Sequence, residues 1–199
     1  CAAQIHTDEF KEMKEIDSIL GNKEKLEEST YISLSSNKNL TKVSDIFEET
    51  KASSPVVEKI ENKIRGFVQI QNGCDHRCTF CIIPYGRGNS RSVEPLDIVN
   101  QIKILVEKNY KEIVLTGVDL TSYGDDLNKK TNLAELIKLI LKSVPSLKRL
   151  RLSSLDVAEI GSAILKLLEK EKRILPHIHL SLQAGDNMIL KRMKRRHSR

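Results

Sequence analysis

An α/β fold built on a parallel sheet is predicted by three features of this 199-residue sequence. Strand-like and helix-like segments alternate along residues 64–199, and apolar side chains in the helix-like segments recur every three to four residues. Repeated strand–helix units join parallel strands through right-handed crossovers. Hydrophobic residues make up 39% of the chain, which is enough for an ordinary buried core.

Four strands and three helices are predicted in this alternating part. In the first helix, Asp97 begins a segment in which Ile98, Ile102 and Leu105 lie at helical spacing. The predicted strands cover 64–71, 112–118, 147–154 and 177–182, and the predicted helices cover 95–109, 132–144 and 158–171.

Small and polar residues follow each predicted strand. Because parallel strands end at one edge of a sheet, where such folds place their chemistry, these residues are expected to meet at one rim. A bound ligand would explain their character, although strand ends are commonly polar and rich in glycine for structural reasons alone. The segments are Gly73-Cys74, Gly117-Val118-Asp119, Ser153-Ser154, and Gln183 followed by Gly185.

The first 63 residues have a different pattern. Thr7 is predicted to cap a short helix, "IDSIL" to form a strand that ends at Gly21-Asn22, and residues 23–30 to form a second helix. Residues 33–63 are rich in Ser, Asn, Lys and Glu and contain Pro55, which favours an extended linker. The predicted division is 1–32 as the tail of a small α/β domain, 33–63 as a linker, and 64–199 as the main domain.

Charge is unevenly distributed along the chain. Residues 1–63 carry 9 basic and 13 acidic residues, whereas the remaining 136 residues carry 24 and 14. The basic residues are densest in "LKRMKRRHSR", which would attract a polyanion such as RNA, although a solvated helix face would have the same composition. The residues expected to bind RNA are Lys191, Arg192, Lys194, Arg195 and Arg196.

The ends and hydropathy of the chain add two expectations. A chain that begins "CAAQ" has no initiating Met, which predicts a fragment or a processed piece. The sequence has no run of about 18 apolar residues and no basic segment followed by an apolar stretch at its start. These features predict a soluble, cytoplasmic protein with no membrane partner.

Three of the four cysteines lie within eight residues of one another, in "CDHRCTFC". This clustering differs from the paired framework of a secreted domain and favours metal binding or redox chemistry. A CxxxCxxC loop can supply three thiolates to an iron–sulfur cluster and leave the fourth iron open. A zinc site would need His76 or Cys1 as its fourth ligand, and His76 is expected not to reach the same ion as both flanking cysteines. The residues alone leave both alternatives open.

The same loop carries a resemblance to a known family. "CDHRCTFC" resembles the signature of radical S-adenosylmethionine enzymes, with Phe80 as its aromatic residue. The resemblance continues through "EIVLTGVDLTSYGDDL", "LKRLRLSSLD" and "HLSLQAGDNMILKRMKRR" to the methylthiotransferases. "TGVDLTSYG" is most similar to the branch that acts on N6-threonylcarbamoyladenosine in tRNA. The other branches act on isopentenyladenosine in tRNA or on a ribosomal-protein aspartate.

The resemblance implies a fold and a set of cofactor ligands. The fold would be a partial TIM barrel of βα repeats, the radical S-adenosylmethionine core, incomplete at its C-terminus. A [4Fe-4S] cluster that binds S-adenosylmethionine would be held by Cys74, Cys78 and Cys81, and Cys1 would be one ligand of a second, auxiliary [4Fe-4S] cluster whose other ligands lie upstream. The residues implied to surround S-adenosylmethionine are Phe80, Gly117, Asp119, Ser153 and Gln183.

The resemblance also implies the reaction and the partners. A methylthio group would be added to carbon 2 of the adenine ring, next to the anticodon, and two molecules of S-adenosylmethionine would be consumed. The partners would be the tRNA anticodon stem-loop and an electron donor protein. Because both ends of the family pattern are missing, these 199 residues are expected not to complete the reaction alone.

Overall fold

A computed structural model describes residues 1–36, 39–52 and 63–199. Short 3-10 helices at Glu24–Leu26, Ile46–Glu48, Leu120–Ser122 and Val157–Glu159 accompany the main elements. The strands are β1 (Ile19–Leu20), β2 (Thr41–Lys42), β3 (Arg65–Gln69), β4 (Gln71–Asn72), β5 (Arg91–Ser92), β6 (Glu112–Thr116), β7 (Arg149–Leu152), β8 (Ser154–Leu155) and β9 (His179–Leu180). The α-helices are α1 (Ala2–Ile5), α2 (Thr7–Lys11), α3 (Glu28–Ser36), α4 (Ile83–Arg87), α5 (Pro95–Glu107), α6 (Leu133–Ser143), α7 (Ser162–Lys170) and α8 (Asn187–Arg192).

Three parallel strands form the central sheet in the order β3, β6, β7. Leu115 of β6 lies opposite Val68 of β3 and Leu152 of β7, so the three strands share one register. Leu150 of β7 also forms a parallel bridge with Ile174. Strand β8 pairs in parallel with β9. The parallel α/β fold predicted from the sequence is therefore confirmed, with strands shorter than predicted.

Helices α5 and α6 cover one face of this sheet. Ile98, Ile102 and Leu105 of α5 are at most 1% exposed, which confirms the predicted helical periodicity. They belong to one core with alternate residues of the strands, such as Val68. The intervening residues of β3 point away from this core, and Phe67 is 60% exposed, as the two-residue repeat of a strand requires.

Glu112 connects the three central strands through its side chain. The Glu112 side chain is 8% exposed, and its carboxylate pairs with the Nε atoms of Arg65 at 2.8 Å, Arg151 at 2.9 Å and Arg149 at 3.2 Å. Burial opposes its ionisation, but hydrogen bonds from Arg151 and Arg149 lower the pKa of Glu112. Because the arginines belong to both neighbouring strands, the pairs favour the observed register.

Two local predictions for the N-terminal part are corrected. Thr7 is not a helix cap: His6 precedes α2, and the Thr7 hydroxyl donates to the carbonyl of Ala3 at 2.9 Å because α1 ends immediately upstream. The helix predicted at 23–30 is divided into a 3-10 turn and α3, which continues to Ser36. The fully buried Glu24 accepts from the backbone N–H of Ser44 at 2.9 Å. This bond holds the 3-10 turn in place independently of α3.

The stretch predicted as a linker contains ordered elements. The end of α3, strand β2 and a 3-10 helix lie within it, and β2 pairs in parallel with β1. Ile46 is buried. Pro55 lies outside the described residues, and the division into domains stays a prediction.

The N-terminal segment packs against α4. The Asn22 side chain donates to the carbonyl of Gly86. Cys1 lies so close to Gly86 that a Cβ placed there would be 2.6 Å from the Cβ of Cys1. Gly86 is therefore required by a close approach between two parts of the chain.

Across the part of the chain that the structure describes, no helix has the length and apolar character needed to cross a membrane.

Candidate active site

A cavity of about 210 Å³ lies at the carboxyl ends of the parallel strands. Its lining includes Cys74, Asp119, Ser154 and Gln183, which come from the segments that follow the four predicted strands. The predicted rim is therefore confirmed as a place where these segments meet. The other lining residues are His76, Cys78, Phe80, Cys81, Ile83, Val118, Leu155, Asp156, Ser181 and Arg195.

Backbone contacts fix the conformation of the cysteine loop. Gly73 has φ +76°, and a Cβ there would lie 1.8 Å from the carbonyl oxygen of Asn89, so only glycine fits. Cys74 N–H donates to the carbonyl of Gly88 at 3.0 Å, and Cys81 N–H donates to that of Cys78 at 3.1 Å. These bonds bring Cys74, Cys78 and Cys81 to one cavity as free thiols.

Gln71 connects this loop to the one after β6, a role that the sequence analysis missed. Its Nε2 donates to the carbonyl of Gly73 at 2.8 Å, and its Oε1 accepts from the N–H groups of Val118 at 3.0 Å and Asp119 at 2.8 Å. The residue is fully buried. A glutamine inside the strand-like run "FVQIQNGC" was the available signal, since a buried amide needs several partners.

Asp119 is buried and lines the cavity. Its carboxylate accepts from the hydroxyls of Thr121 at 2.8 Å and Ser122 at 2.7 Å, and it lies 2.9 Å from Nε2 of His76. The neighbouring Gly117 is confined, because a Cβ there would be 2.9 Å from the carbonyl oxygen of Gln71. Four groups therefore orient Asp119. They are the two hydroxyls, the imidazole of His76, and Oε1 of Gln71, which accepts from the Asp119 N–H.

The thiol of Cys74 is held in its neutral form in the metal-free protein. Burial raises its pKa to about 11, and the nearby Asp119, Cys81 and Cys78 contribute in the same direction, against a backbone hydrogen bond from His76. The sulfur lies 4.0 Å from the Asp119 carboxylate. An uncompensated group of thiolates is therefore disfavoured here, whereas iron would supply the positive charge that stabilises them.

The basic residues expected to bind RNA separate into two groups. Lys191, Arg192 and Lys194 are exposed. The Arg195 side chain is instead 8% exposed and lines the cavity, and it pairs with Asp156 at 2.9 Å. Arg196 pairs with Glu159 and lies 3.6 Å from Asp156.

The remaining predicted site residues occupy different positions. Phe80 and Gln183 line the cavity, and Gln183 has φ +64°, a left-handed conformation. Ser153 follows β7, and its hydroxyl oxygen is buried without a hydrogen-bond partner among the described residues. Cys1 is exposed, beside α4, and is not among the residues that line this cavity.

The donor set fits an iron–sulfur cluster. Three thiols face one cavity, and a cluster with one open iron requires three protein thiolates. A second grouping exists: the ligand atoms of Cys74, His76 and Asp119 lie within 4.8 Å of one another. His76 thus approaches one flanking cysteine, and Cys78 is outside this grouping, in line with the expectation that His76 does not serve both.

Comparison with known proteins defines the class of protein. Residues 68–199 match the radical SAM superfamily, and the chain belongs to that superfamily. Within it, the chain is 50% identical over 199 residues to the threonylcarbamoyladenosine tRNA methylthiotransferase MtaB of Rickettsia prowazekii (strain Madrid E), covering 100% of this chain and 47% of the relative. The protein of the same name from Aquifex aeolicus (strain VF5) is 39% identical over 203 residues, covering 100% and 48%.

A relative named for a different tRNA nucleoside is also similar. The tRNA-2-methylthio-N(6)-dimethylallyladenosine synthase of Karelsulcia muelleri (strain GWSS) is 36% identical over 171 residues, covering 78% of this chain and 38% of the relative. The chain spans about half the length of the two MtaB relatives.

Proposed function

We propose that the protein containing this chain is a radical S-adenosylmethionine enzyme that transfers a methylthio group to carbon 2 of N6-threonylcarbamoyladenosine in tRNA. The observation that carries the proposal is the convergence of Cys74, Cys78 and Cys81 on one cavity at the strand ends. The names of the relatives that align over the whole chain support the acceptor nucleoside.

In this proposal the three cysteines hold a [4Fe-4S] cluster. When bound with S-adenosylmethionine, that group supplies the one-electron chemistry needed to remove hydrogen from an unactivated carbon. The chain orients and encloses the reactants. Gln71 fixes the position of the Asp119 loop relative to the cysteine loop. In this proposal the Asp119 carboxylate, which lines the cavity, would accept from the amino group of S-adenosylmethionine.

The other side chains would complete the binding site for S-adenosylmethionine. The buried hydroxyl of Ser153 lacks a partner among the described residues, and a buried polar atom of this kind favours a ligand. Gln183 and Phe80 line the cavity and would contact the cofactor, while Gly117 lets the neighbouring backbone approach.

The tRNA would bind mainly through residues outside this cavity. Lys191, Arg192 and Lys194 are exposed, so they can neutralise phosphates of the anticodon stem-loop. The target base would be splayed into the cavity, as enzymes that act on RNA bases require. Cys1 would be one ligand of the auxiliary cluster, and an electron donor protein would supply the reductant in the cytoplasm.

The acceptor nucleoside is tested by mass spectrometry of tRNA nucleosides from a deletion strain. We expect the methylthio form of threonylcarbamoyladenosine to disappear, and to return with the wild-type gene but not with Cys78→Ala. Loss of the methylthio form of isopentenyladenosine instead would assign the protein to the other tRNA branch. An unchanged nucleoside profile would refute the proposed reaction on tRNA.

The cofactor is tested separately, because the grouping of Cys74, His76 and Asp119 could hold zinc. Anaerobic reconstitution of the full-length protein with iron and sulfide should give a broad visible absorption that is reduced in Cys78→Ala. Stoichiometric zinc, with no visible absorption that depends on Cys78, would instead support a non-catalytic, RNA-binding metal site.

A further inference from the structure

We infer that Arg195 donates a hydrogen bond to the sulfur of Cys78 and thereby raises the reduction potential of the cluster that this cysteine holds. The inference rests on the proposed role of Cys78 as a cluster ligand. It gives Arg195 a positioning and electrostatic role inside the cavity, in place of the RNA contact expected from its basic neighbours.

The contacts of the Arg195 guanidinium carry the inference. Nη1 lies 3.6 Å from the sulfur of Cys78, within range for a hydrogen bond to sulfur. Nη2 donates to the carboxylate of Asp156 at 2.9 Å and approaches the carbonyl oxygen of Ser181 at 3.5 Å. The side chain is 8% exposed, so water competes little for these groups.

The backbone directs Arg195 toward the cysteine loop. After α8 ends, Lys194 adopts a left-handed conformation with φ +57°, and Arg195 N–H donates to the carbonyl of Leu190 at 2.9 Å. This reversal turns Arg195 inward while its neighbour Lys194 stays exposed. The N–H of Thr79, between Cys78 and Cys81, also donates to the carbonyl of Met193 at 3.3 Å.

Asp156 fixes the orientation of the guanidinium. Its Oδ1 accepts from Ala158 N–H at 3.0 Å, so the carboxylate is itself anchored to the 3-10 helix Val157–Glu159. The planar fork of arginine allows Nη2 to bond Asp156 while Nη1 points at Cys78. The buried Nε of Arg195 has no partner among the described residues, which leaves one donor available to a ligand in the cavity.

The sign of the effect follows from charge. On reduction the cluster takes up one electron from an external reductant, and no bond is formed or broken in that step. Hydrogen bonds to cluster sulfurs and local charge set the reduction potential. A donor aimed at the sulfur stabilises the more negative, reduced form, so Arg195 makes reduction easier. Asp156 offsets part of the positive charge, and the directed N–H donor remains.

The test is a reductive titration with dithionite, followed by electron paramagnetic resonance, of the full-length protein reconstituted anaerobically. The signal of this cluster is identified as the one that Cys78→Ala removes. We expect Arg195→Met to lower the equilibrium constant for reduction about tenfold, a shift of about 59 mV to more negative potential. Arg195→Lys, which keeps the charge but not the fork, should fall between Arg195→Met and the wild type.

Lys138→Met is the matched control. Lys138 is an exposed cation on α6 that pairs with Glu135, so its removal changes net charge by the same amount away from the cavity. The reduction potential of the cluster in Lys138→Met should equal that in the wild type. If either Arg195 variant holds the cluster and retains the wild-type potential, the inference is overturned. A wild-type protein with no cluster signal dependent on Cys78 overturns the proposed function and this inference together.

Discussion

At the scale of single residues, the amide of Gln71 connects the two loops that form the cavity. Its five hydrogen bonds reach the cysteine loop, Ser90, and the backbone of Val118 and Asp119. No water can replace these partners without a rearrangement, because the side chain is fully buried. The geometry of the site therefore depends on a residue whose side-chain hydrogen bonds join backbone groups and Ser90.

Replacement of Gln71 tests this dependence. We expect Gln71→Leu to lower the free energy of unfolding by about 2 kcal/mol, because buried N–H groups lose their acceptor. Urea denaturation of the metal-free, full-length protein measures the change. Ser90→Ala is the control: it removes only the bond from Nε2 to the serine hydroxyl and should cost less. Equal stability of wild type and Gln71→Leu would contradict the argument.

The raised pKa of Cys74 gives a prediction for pH dependence. Burial, with a contribution from Asp119, raises this pKa from its ordinary value of 9.0 to about 11. At pH 8 the thiolate fraction is then roughly a hundredfold below that of an ordinary cysteine. In the metal-free protein, alkylation of Cys74 by iodoacetamide should therefore be slow at pH 8 and increase as the pH approaches 11.

Asp119→Asn should make this alkylation faster at pH 8, because it removes a negative charge that disfavours the thiolate. Mass spectrometry of the labelled peptides measures the rate at Cys74. Asp97→Asn, on the exposed surface of α5, should leave the rate unchanged. A rate that is the same in Asp119→Asn and wild type would show that this carboxylate does not act on Cys74.

At the scale of elements, helix α6 depends on a side-chain cap. The Asn132 side chain accepts from the N–H of Glu135 at 3.1 Å at the start of the helix. The helix buries six residues against the core, so the stability of its first turn contributes to the stability of the domain. A cap of this kind satisfies a donor that the helix leaves unpaired.

We expect Asn132→Ala to lower the free energy of unfolding by about 1 kcal/mol. Thermal unfolding of the full-length protein, compared with wild type, measures the loss. Asn128→Ala changes the same residue type at an exposed position just upstream and should change stability by less than about 0.5 kcal/mol. Equal losses in the two variants would argue against the cap.

Across the molecule as a whole, positive charge is concentrated on one exposed group of basic side chains near the C-terminal end of the sequence. Lys191, Arg192 and Lys194 project from the region of α8 that contacts the cysteine loop through Thr79. A polyanion bound there would lie close to the cysteine loop. Electrostatic binding of this type weakens with salt, because phosphate neutralisation releases counterions.

Replacement of Lys191, Arg192 and Lys194 together by glutamine should weaken tRNA binding and reduce the slope of log K against log salt by about 2 to 3. Filter binding of the full-length protein over a salt series measures this slope. Replacement of Lys138, Lys142 and Lys148, which are also exposed, removes the same charge from another surface and should leave the slope unchanged. Identical slopes in both triple variants would place the RNA elsewhere.

Sequence periodicity predicted the parallel α/β class and the main helices, because local spacing reports burial. Ile98, Ile102 and Leu105 were predicted and found on the buried face of α5, and the cysteine loop was predicted and found at the strand ends. The position of Arg195 could not be predicted in this way. Whether a basic residue is exposed or buried depends on an acidic partner, here Asp156, which is 39 residues away in sequence.

Local rules also failed where tertiary contacts compete with them. Thr7 has the residue type of a cap, but α1 ends immediately before it and supplies an acceptor for its hydroxyl. The sequence around Gln71 indicates a buried amide but does not identify its partners, because Val118 and Asp119 follow a different strand. Such residues are identified by the structure, since only the folded chain brings their partners together.

The contact between Cys1 and Gly86 has a mechanical consequence. Gly86 belongs to α4, a five-residue helix that begins two residues after Cys81. Under the proposed function, this helix is a spacer of fixed length between a ligand of one iron–sulfur cluster and a ligand of the other. The five residue-to-residue steps from Cys81 to Gly86 can span at most about 18 Å, so only a short, folded segment joins these two regions of the chain.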